Sequence, residues 1–151
     1  DEDNRMRNSL MALTLIALTA TGTAAAMDAE EVIKYRNSVM KAYAGHTGAA
    51  SRIVRGKVDY KDQLGFHATA MRDISLLIEG LFPEDSDFGE TRAKAEIWSK
   101  PEEYKQAMKD NQQAAEAFLK AVNDGTADAA GFKAVTDSCK GCHDKFRAED
   151  D

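Results

Sequence analysis

Cys139-Lys140-Gly141-Cys142-His143 decides how the rest of the chain reads. The stretch has the C-x-x-C-H pattern of a c-type haem attachment site. On a helix, Cys139 and Cys142 stand three residues apart and share a face. From one face, two thiols can each add across one vinyl group of a single haem. His143 follows at once and offers an imidazole nitrogen to the iron on the proximal side. Lys140 and Gly141 are spacers, and the small Gly141 lets the macrocycle lie close. Other readings of Cys-x-x-Cys fit less well. A structural zinc site needs further ligands, and the chain has no other cysteine. A redox dithiol belongs in a βαβ pattern, which the sequence lacks.

The N-terminal segment supports that reading. Residues 1–26 comprise upstream residues and a secretory signal. Arg7 supplies the charged region, Leu10 to Ala20 the apolar run, and Thr23-Ala24-Ala25-Ala26 the small residues for cleavage near Ala26. The apolar run is too short to span a bilayer comfortably. Export places the protein in the periplasm, outside the cytoplasm, where c-type haem is attached and where two free thiols otherwise risk oxidation to a disulfide.

Residues 27–151 suffice for one domain. Of the 20 Lys and Arg, two fall in the leader, and of the 26 Asp and Glu, three do. The remaining 18 basic and 23 acidic residues leave a charge of about −5. That balance argues against nucleic acid and anionic membranes as partners and leaves room for a redox partner with a basic patch. Two Pro, plentiful Ala, Lys and Glu, and 7% aromatic residues suit helices.

Four amphipathic stretches follow. The first spans Asp28 to Arg55, with Asp28 as N-cap and Glu31 as its capping-box partner. Val32, Tyr35, Val39, Tyr43, Ala50 and Ile53 form its stripe. Arg36 and Met40 share a face, Gly45 and Gly48 weaken its middle, and Gly56 ends it. The second runs from Asp59 to Leu81, with Leu64, His67, Met71, Ile74, Ile78 and Leu81 alternating by three and four before Pro83. Acidic residues, Gly89 and the absence of periodicity mark 84–95 as a loop, long enough to fold over one edge of the haem. The third begins at Pro101 behind a Ser99 cap and carries Tyr104, Met108, Asn111, Ala115, Phe118 and Val122 up to Gly125. The fourth begins at Asp128 and carries Phe132, Val135, Cys139, Cys142 and Phe146. The attachment motif thus sits on its inward face. No strand period or repeat stands out, and the expectation is an all-α, antiparallel four-helix bundle with a C-terminal haem attachment motif.

Those residues resemble the class II cytochromes c, which comprise cytochrome c' and its low-spin cousins of the cytochrome c-556 type. Besides Cys139 to His143, the likeness includes Lys34-Tyr35-Arg36-Asn37-Ser38-Val39-Met40, Gly89-Glu90-Thr91-Arg92, Glu96-Ile97-Trp98-Ser99 and Asp144-Lys145-Phe146-Arg147. It covers essentially all of residues 27–151. The resemblance implies one covalently bound haem c. It implies that Arg36 meets a haem propionate and that Asn37 holds a position often filled by Gln. It also implies that Glu90 lies in the loop near the haem edge, that Arg147 covers the proximal face, and that Met40 faces the iron on the distal side. It further implies a homodimer through the first two helices, with Ala42, Ala49 and Val54 as candidate contact residues.

Met40 separates the functional readings. If its thioether ligates the iron opposite His143, the site is six-coordinate and suits an electron carrier. The softness of a thioether favours that reading. If Met40 only packs over the iron, the site is five-coordinate and admits diatomic gases, nitric oxide above all by resemblance. A peroxidase wants a distal acid–base side chain, and the first helix presents Met40 instead. No catalytic constellation is visible, so an enzyme is not expected. His67 reads as a seam or edge histidine rather than an iron ligand, and His46, between glycines, as a surface or helix-bend residue. Met71 and Met108 read as core fillers and Trp98 as packing at the loop-to-helix junction. The run Glu84-Asp85-Ser86-Asp87 reads as a solvated loop.

Overall fold

The computed structural model describes residues 28–149; the leader and its cleavage site lie outside them. Helix α1 runs Ala29–Val54, α2 Leu64–Leu77, α3 Glu96–Ser99, α4 Pro101–Asn123 and α5 Ala129–Phe146. Turns of 3₁₀ helix at Lys61–Gln63 and Ile78–Leu81 flank α2. Among the described residues the only strand-like pairing is a single antiparallel bridge between Ala93 and Arg147. Helices α1, α2, α4 and α5 form an antiparallel four-helix bundle, as the apolar stripes require.

The stripes of α4 and α5 lie where the sequence places them. Tyr104, Met108, Asn111, Ala115 and Phe118 are buried on α4, and Phe132, Val135 and Phe146 on α5. Phe118 meets Phe132 edge-on at 5.4 Å between centroids, locking the α4–α5 seam. Each such fully buried side chain contributes about 1.5–3 kcal/mol. Gly125, at φ +70°, closes α4, and Gly56, at φ +63°, closes α1; both take left-handed conformations that glycine adopts without strain.

The first stripe is off by one residue over the N-terminal half of α1. The buried positions are Ile33, Arg36, Tyr43, Ala50 and Ile53, while Tyr35 is 59% exposed. A charged side chain occupies the inward position, so the apolar pattern points to its neighbour. Asp28 caps α1 through Glu30 N, but Glu31 is paired with Lys34 rather than completing a capping box. Gly45 and Gly48 do not stop α1, which runs on to Val54. The second helix starts later than expected, since Asp59 and Tyr60 precede the 3₁₀ turn. Ala68 and Ser75 join Met71 and Ile78 on its inner face. Ser99 is not the cap of α4. It ends the short α3, and Lys100 forms the non-helical junction at φ −128°, ψ 59°, with Pro101 in the first turn as expected.

Loop 82–95 is docked rather than free. Lys94 N donates to Phe146 O at 2.9 Å, and Ala148 N donates to Arg92 O at 2.8 Å. Trp98 Nε1 donates to Phe82 O and Pro83 O, so Trp98 does pack at the loop-to-helix junction.

His46 on α1 and His67 on α2 face one another, with their Nδ1 atoms 3.0 Å apart. Burial, and then the charge of His46, hold His67 below the ordinary imidazole range. An unfolded imidazole takes up its proton near pH ~6.5, and the folded His67 only at lower pH. The unfolded state therefore binds more protons in that window, and stability is expected to fall as pH drops from about 6.5. Urea unfolding across pH checks this, and His67→Phe is expected to flatten the dependence.

Candidate functional site

Helix α4 packs extensively on α5 and on α2, and α1 leans on α2, but α1 and α5 meet far less. The loose side of the bundle therefore lies between the helix bearing Met40 and the helix bearing Cys139 to His143. Met40, Cys139 and Cys142 are all half-buried against the same hydrophobic core. Three residues assigned from the sequence are thus brought to one core along the open seam.

The two cysteines are free thiols. Burial raises both pKa values; that of Cys142 is pushed up to about 11, with the Cys139 charge adding to the rise. Both therefore stand protonated near neutrality. His143 is half-buried and held below the ordinary imidazole range by burial first and the Arg92 charge second, against the raising effect of Asp144. It is neutral at pH 7, the form that can offer a nitrogen lone pair to a metal.

Asn111 ties the first cysteine of the motif into the bundle. Tyr43 Oη on α1 donates to Asn111 Oδ1 at 3.1 Å, and Asn111 Nδ2 reaches Ser138 Oγ at 3.0 Å and Cys139 Sγ at 3.5 Å. One buried amide on α4 so ties α1 to α5 beside the first cysteine. Asn111→Ala is expected to cost about 1–3 kcal/mol, because it orphans the Tyr43 hydroxyl and removes the tie to Ser138 and Cys139. Urea unfolding of the purified variant checks this.

Arg36 is 3% exposed. Its Nη1 donates to Ser86 Oγ at 3.1 Å and Leu81 O at 3.4 Å. Its Nη2 donates to Thr91 Oγ1 at 2.6 Å and Ser86 O at 3.2 Å. The guanidinium also lies over the Phe82 ring, 4.6 Å from its centroid. Burial lowers its pKa, yet the group stays cationic. It thus carries a buried positive charge whose described partners are carbonyls, hydroxyls and a ring.

The remaining expected site residues scatter. Asn37 is exposed on α1, and Glu90 is exposed in the loop. Arg147 is half-buried at the bridge to Ala93, just past the end of α5. Arg92, Thr91, Ser86 and Asn111 have roles at the site that sequence reading did not assign. Asn111 has a visible signal, a lone amide in an apolar stripe, and Thr91 and Arg92 lie in Gly89-Glu90-Thr91-Arg92, part of the family likeness. Nothing local marks Ser86.

A groove of about 860 Å³ between α2 and α4 contains none of these residues. A smaller cleft of about 430 Å³ on the α4–α5 face reaches Gly141 and Cys142. A Cβ on Gly141 would meet nothing within 4 Å, so the centre of the motif has open space for a bulky group. Two protonated thiols on one face, a neutral imidazole beside them, a loose seam and a buried cation fit a covalently tethered haem.

The sequence profile of the family described as Cytochrome C' matches residues 31–147. The chain is 33% identical to cytochrome c' of Rhodospirillum rubrum over 147 residues, covering 95% of this chain and all of that one. It is 34% identical to cytochrome c' of Pararhodospirillum photometricum, covering 78% of this chain and 97% of that one. Among solved structures it is similar to a ferrous variant of cytochrome c' from Alcaligenes xylosoxidans with bound NO. That match has 28% identity, a TM-score of 0.75, and coverage of 83% and 99%. A carbon monoxide-bound variant of the same protein matches with a TM-score of 0.73 at 28% identity, covering 81% of this chain and 98% of that one.

Proposed function

Because the chain belongs to the cytochrome c' family, whose cofactor is covalently attached haem c, we propose that Cys139 and Cys142 anchor that haem on α5 and that His143 holds its iron from the proximal side. Bound there, the haem would supply a reversible one-electron couple and an iron able to bind small ligands. Helix geometry sets both anchors on one face, and Asn111 orients the first. Burial and Arg92 favour the neutral imidazole of His143. The buried charge of Arg36 fits a propionate, and Arg147 lies near the proximal side. Asn37 and Glu90 belong at the solvent-facing edge.

The reading we favour is a five-coordinate haem protein that takes nitric oxide or carbon monoxide, with Met40 packing over the distal side. The observation that carries it is the likeness to structures whose bound ligands are NO and CO. It reverses the preference drawn from thioether chemistry alone. The electron carrier, with Met40 as sixth ligand, is the second reading, and the half-buried place of Met40 on the shared core favours it. Either way the protein is a haem binder rather than an enzyme. The leader implies export to the periplasm, and the acidic charge suits a basic redox partner. A homodimer through α1 and α2 completes the proposal, with Ala42 exposed there and Ala49 half-buried, whereas Val54 packs on the chain's own core.

The absorption spectrum of the reduced protein separates the two readings. A broad high-spin band, ready carbon monoxide uptake and a spectrum unmoved by Met40→Leu are expected. Resolved low-spin bands that vanish in Met40→Leu would instead establish the methionine as ligand.

A further inference from the structure

We propose that His46 and His67 form a second metal site, a bis-imidazole chelate for Cu(II) bridging α1 and α2. The two Nδ1 atoms are 3.0 Å apart. Two nitrogens bound to one ion at about 2.0–2.1 Å lie roughly 2.9 Å apart when they subtend a right angle, and about 3.3 Å apart at a tetrahedral angle. The observed separation matches the right angle, which square-planar or tetragonal ions prefer. Among those ions Cu(II) binds nitrogen donors most tightly. Zinc prefers the wider tetrahedral spacing.

On the single chain the surroundings allow the remaining ligands to be water; Ala42 and Ala49 share the face of His46, so a partner packed there would take the place of that water. Both rings are half-buried rather than sealed. A Cβ on Gly45, next to His46, would meet nothing within 4 Å, and the same holds for Gly65, two residues before His67. Open space therefore flanks the pair on both helices. Phe66 packs against both imidazoles, at 5.7 and 5.6 Å between centroids, and steadies the rings while remaining 68% exposed itself. The described residues contain no group of three or more His, Cys, Asp or Glu placed to hold a metal, so the chelate has two protein ligands. In the metal-free pair, one ring donates a hydrogen and the other accepts it. Binding replaces that bond with two Nδ1–metal bonds; the donor ring gives up its Nδ1 proton and takes one at Nε2 by exchange with solvent, so both ligands are neutral imidazoles and the neutral pair releases no net proton. Each ring must turn about 45° from the hydrogen-bonded arrangement to aim its Nδ1 lone pair at a shared ion, a rotation that the broad histidine χ2 permits. The site is separate from Cys139, Cys142 and His143, and does not depend on how the haem iron is ligated.

The test is titration of the purified, haem-loaded ferric protein with CuSO4, followed by electron paramagnetic resonance with the haem signal of the copper-free protein subtracted. The expected result is one tetragonal Cu(II) per chain whose signal carries coupling from two imidazole nitrogens. His46→Ala and His67→Ala are each expected to weaken binding about tenfold or more, since losing a ligand costs at least what losing an outer-shell partner does. Asp73→Asn, a change at an exposed α2 carboxylate, is expected to leave binding unchanged. Copper coupled to no imidazole nitrogen, or bound equally well by both histidine variants, would overturn the proposal. The wild-type spectrum decides even if a variant folds poorly.

Discussion

Arg36→Ala is expected to lower the unfolding free energy by about 3–5 kcal/mol, a large part of the ~5–15 kcal/mol typical of a domain. The side chain is the internal pin of loop 82–95. It supplies the donors for Leu81 O, Ser86 O, Ser86 Oγ and Thr91 Oγ1, and its plane covers Phe82. Ser86 is itself buried, so its carbonyl does not regain water when the guanidinium goes. Each buried acceptor left without a donor costs about 1–3 kcal/mol. Ser86 Oγ loses less, because it already donates to Pro83 O. Arg36→Lys is expected to recover little, since one ammonium cannot span four acceptors in the plane of a fork. Urea unfolding of the holoprotein measures the loss, and limited proteolysis is expected to cut first within 82–95. A loss below about 1 kcal/mol would mean that the backbone bonds to Phe146 and Ala148 hold the loop unaided.

Phe118→Ala is expected to cost a further class of energy, about 3–5 kcal/mol from lost burial and the cavity left behind. Phe118 is among the largest fully buried side chains and is the α4 half of the edge-on pair with Phe132. The void opens in the α4–α5 seam, on the helix that carries the attachment motif. Beyond the shift in unfolding midpoint, the variant is expected to show looser packing around Cys139, because Asn111 and Phe118 hold α5 from the same face of α4. Phe118→Leu refills part of the space and is expected to recover part of the loss. A change smaller than about 1 kcal/mol would show that the seam collapses to fill the void.

The parts legible in the sequence were those encoded locally. The motif at 139–143 points to haem attachment by spacing alone, and the stripes of α4 and α5 are apolar enough to set the register. The register of α1 failed at Arg36, because a buried guanidinium breaks a rule based on apolar residues and its partners lie 45 to 55 positions away. The cap of α4 was misplaced by one residue, because Glu96-Ile97-Trp98-Ser99 closes its own helical turn, ending with Lys100 N bonded to Glu96 O. The docking of 92–95 on the end of α5 rests on backbone groups, which carry no side-chain signature. Asn111 stands in an apolar stripe, and an amide in such a row asks for a partner. His46 and His67 are each unremarkable alone and informative only once two helices bring their Nδ1 atoms within 3.0 Å.

The most direct measurement is the mass of the exported, purified protein after denaturation in acid and organic solvent. The two-thiol anchor on α5 predicts a polypeptide heavier by one haem, with the red colour staying on the protein. It also predicts that Cys139→Ala combined with Cys142→Ala removes that extra mass. A polypeptide of bare mass, with the pigment extracted into the solvent, would contradict the account.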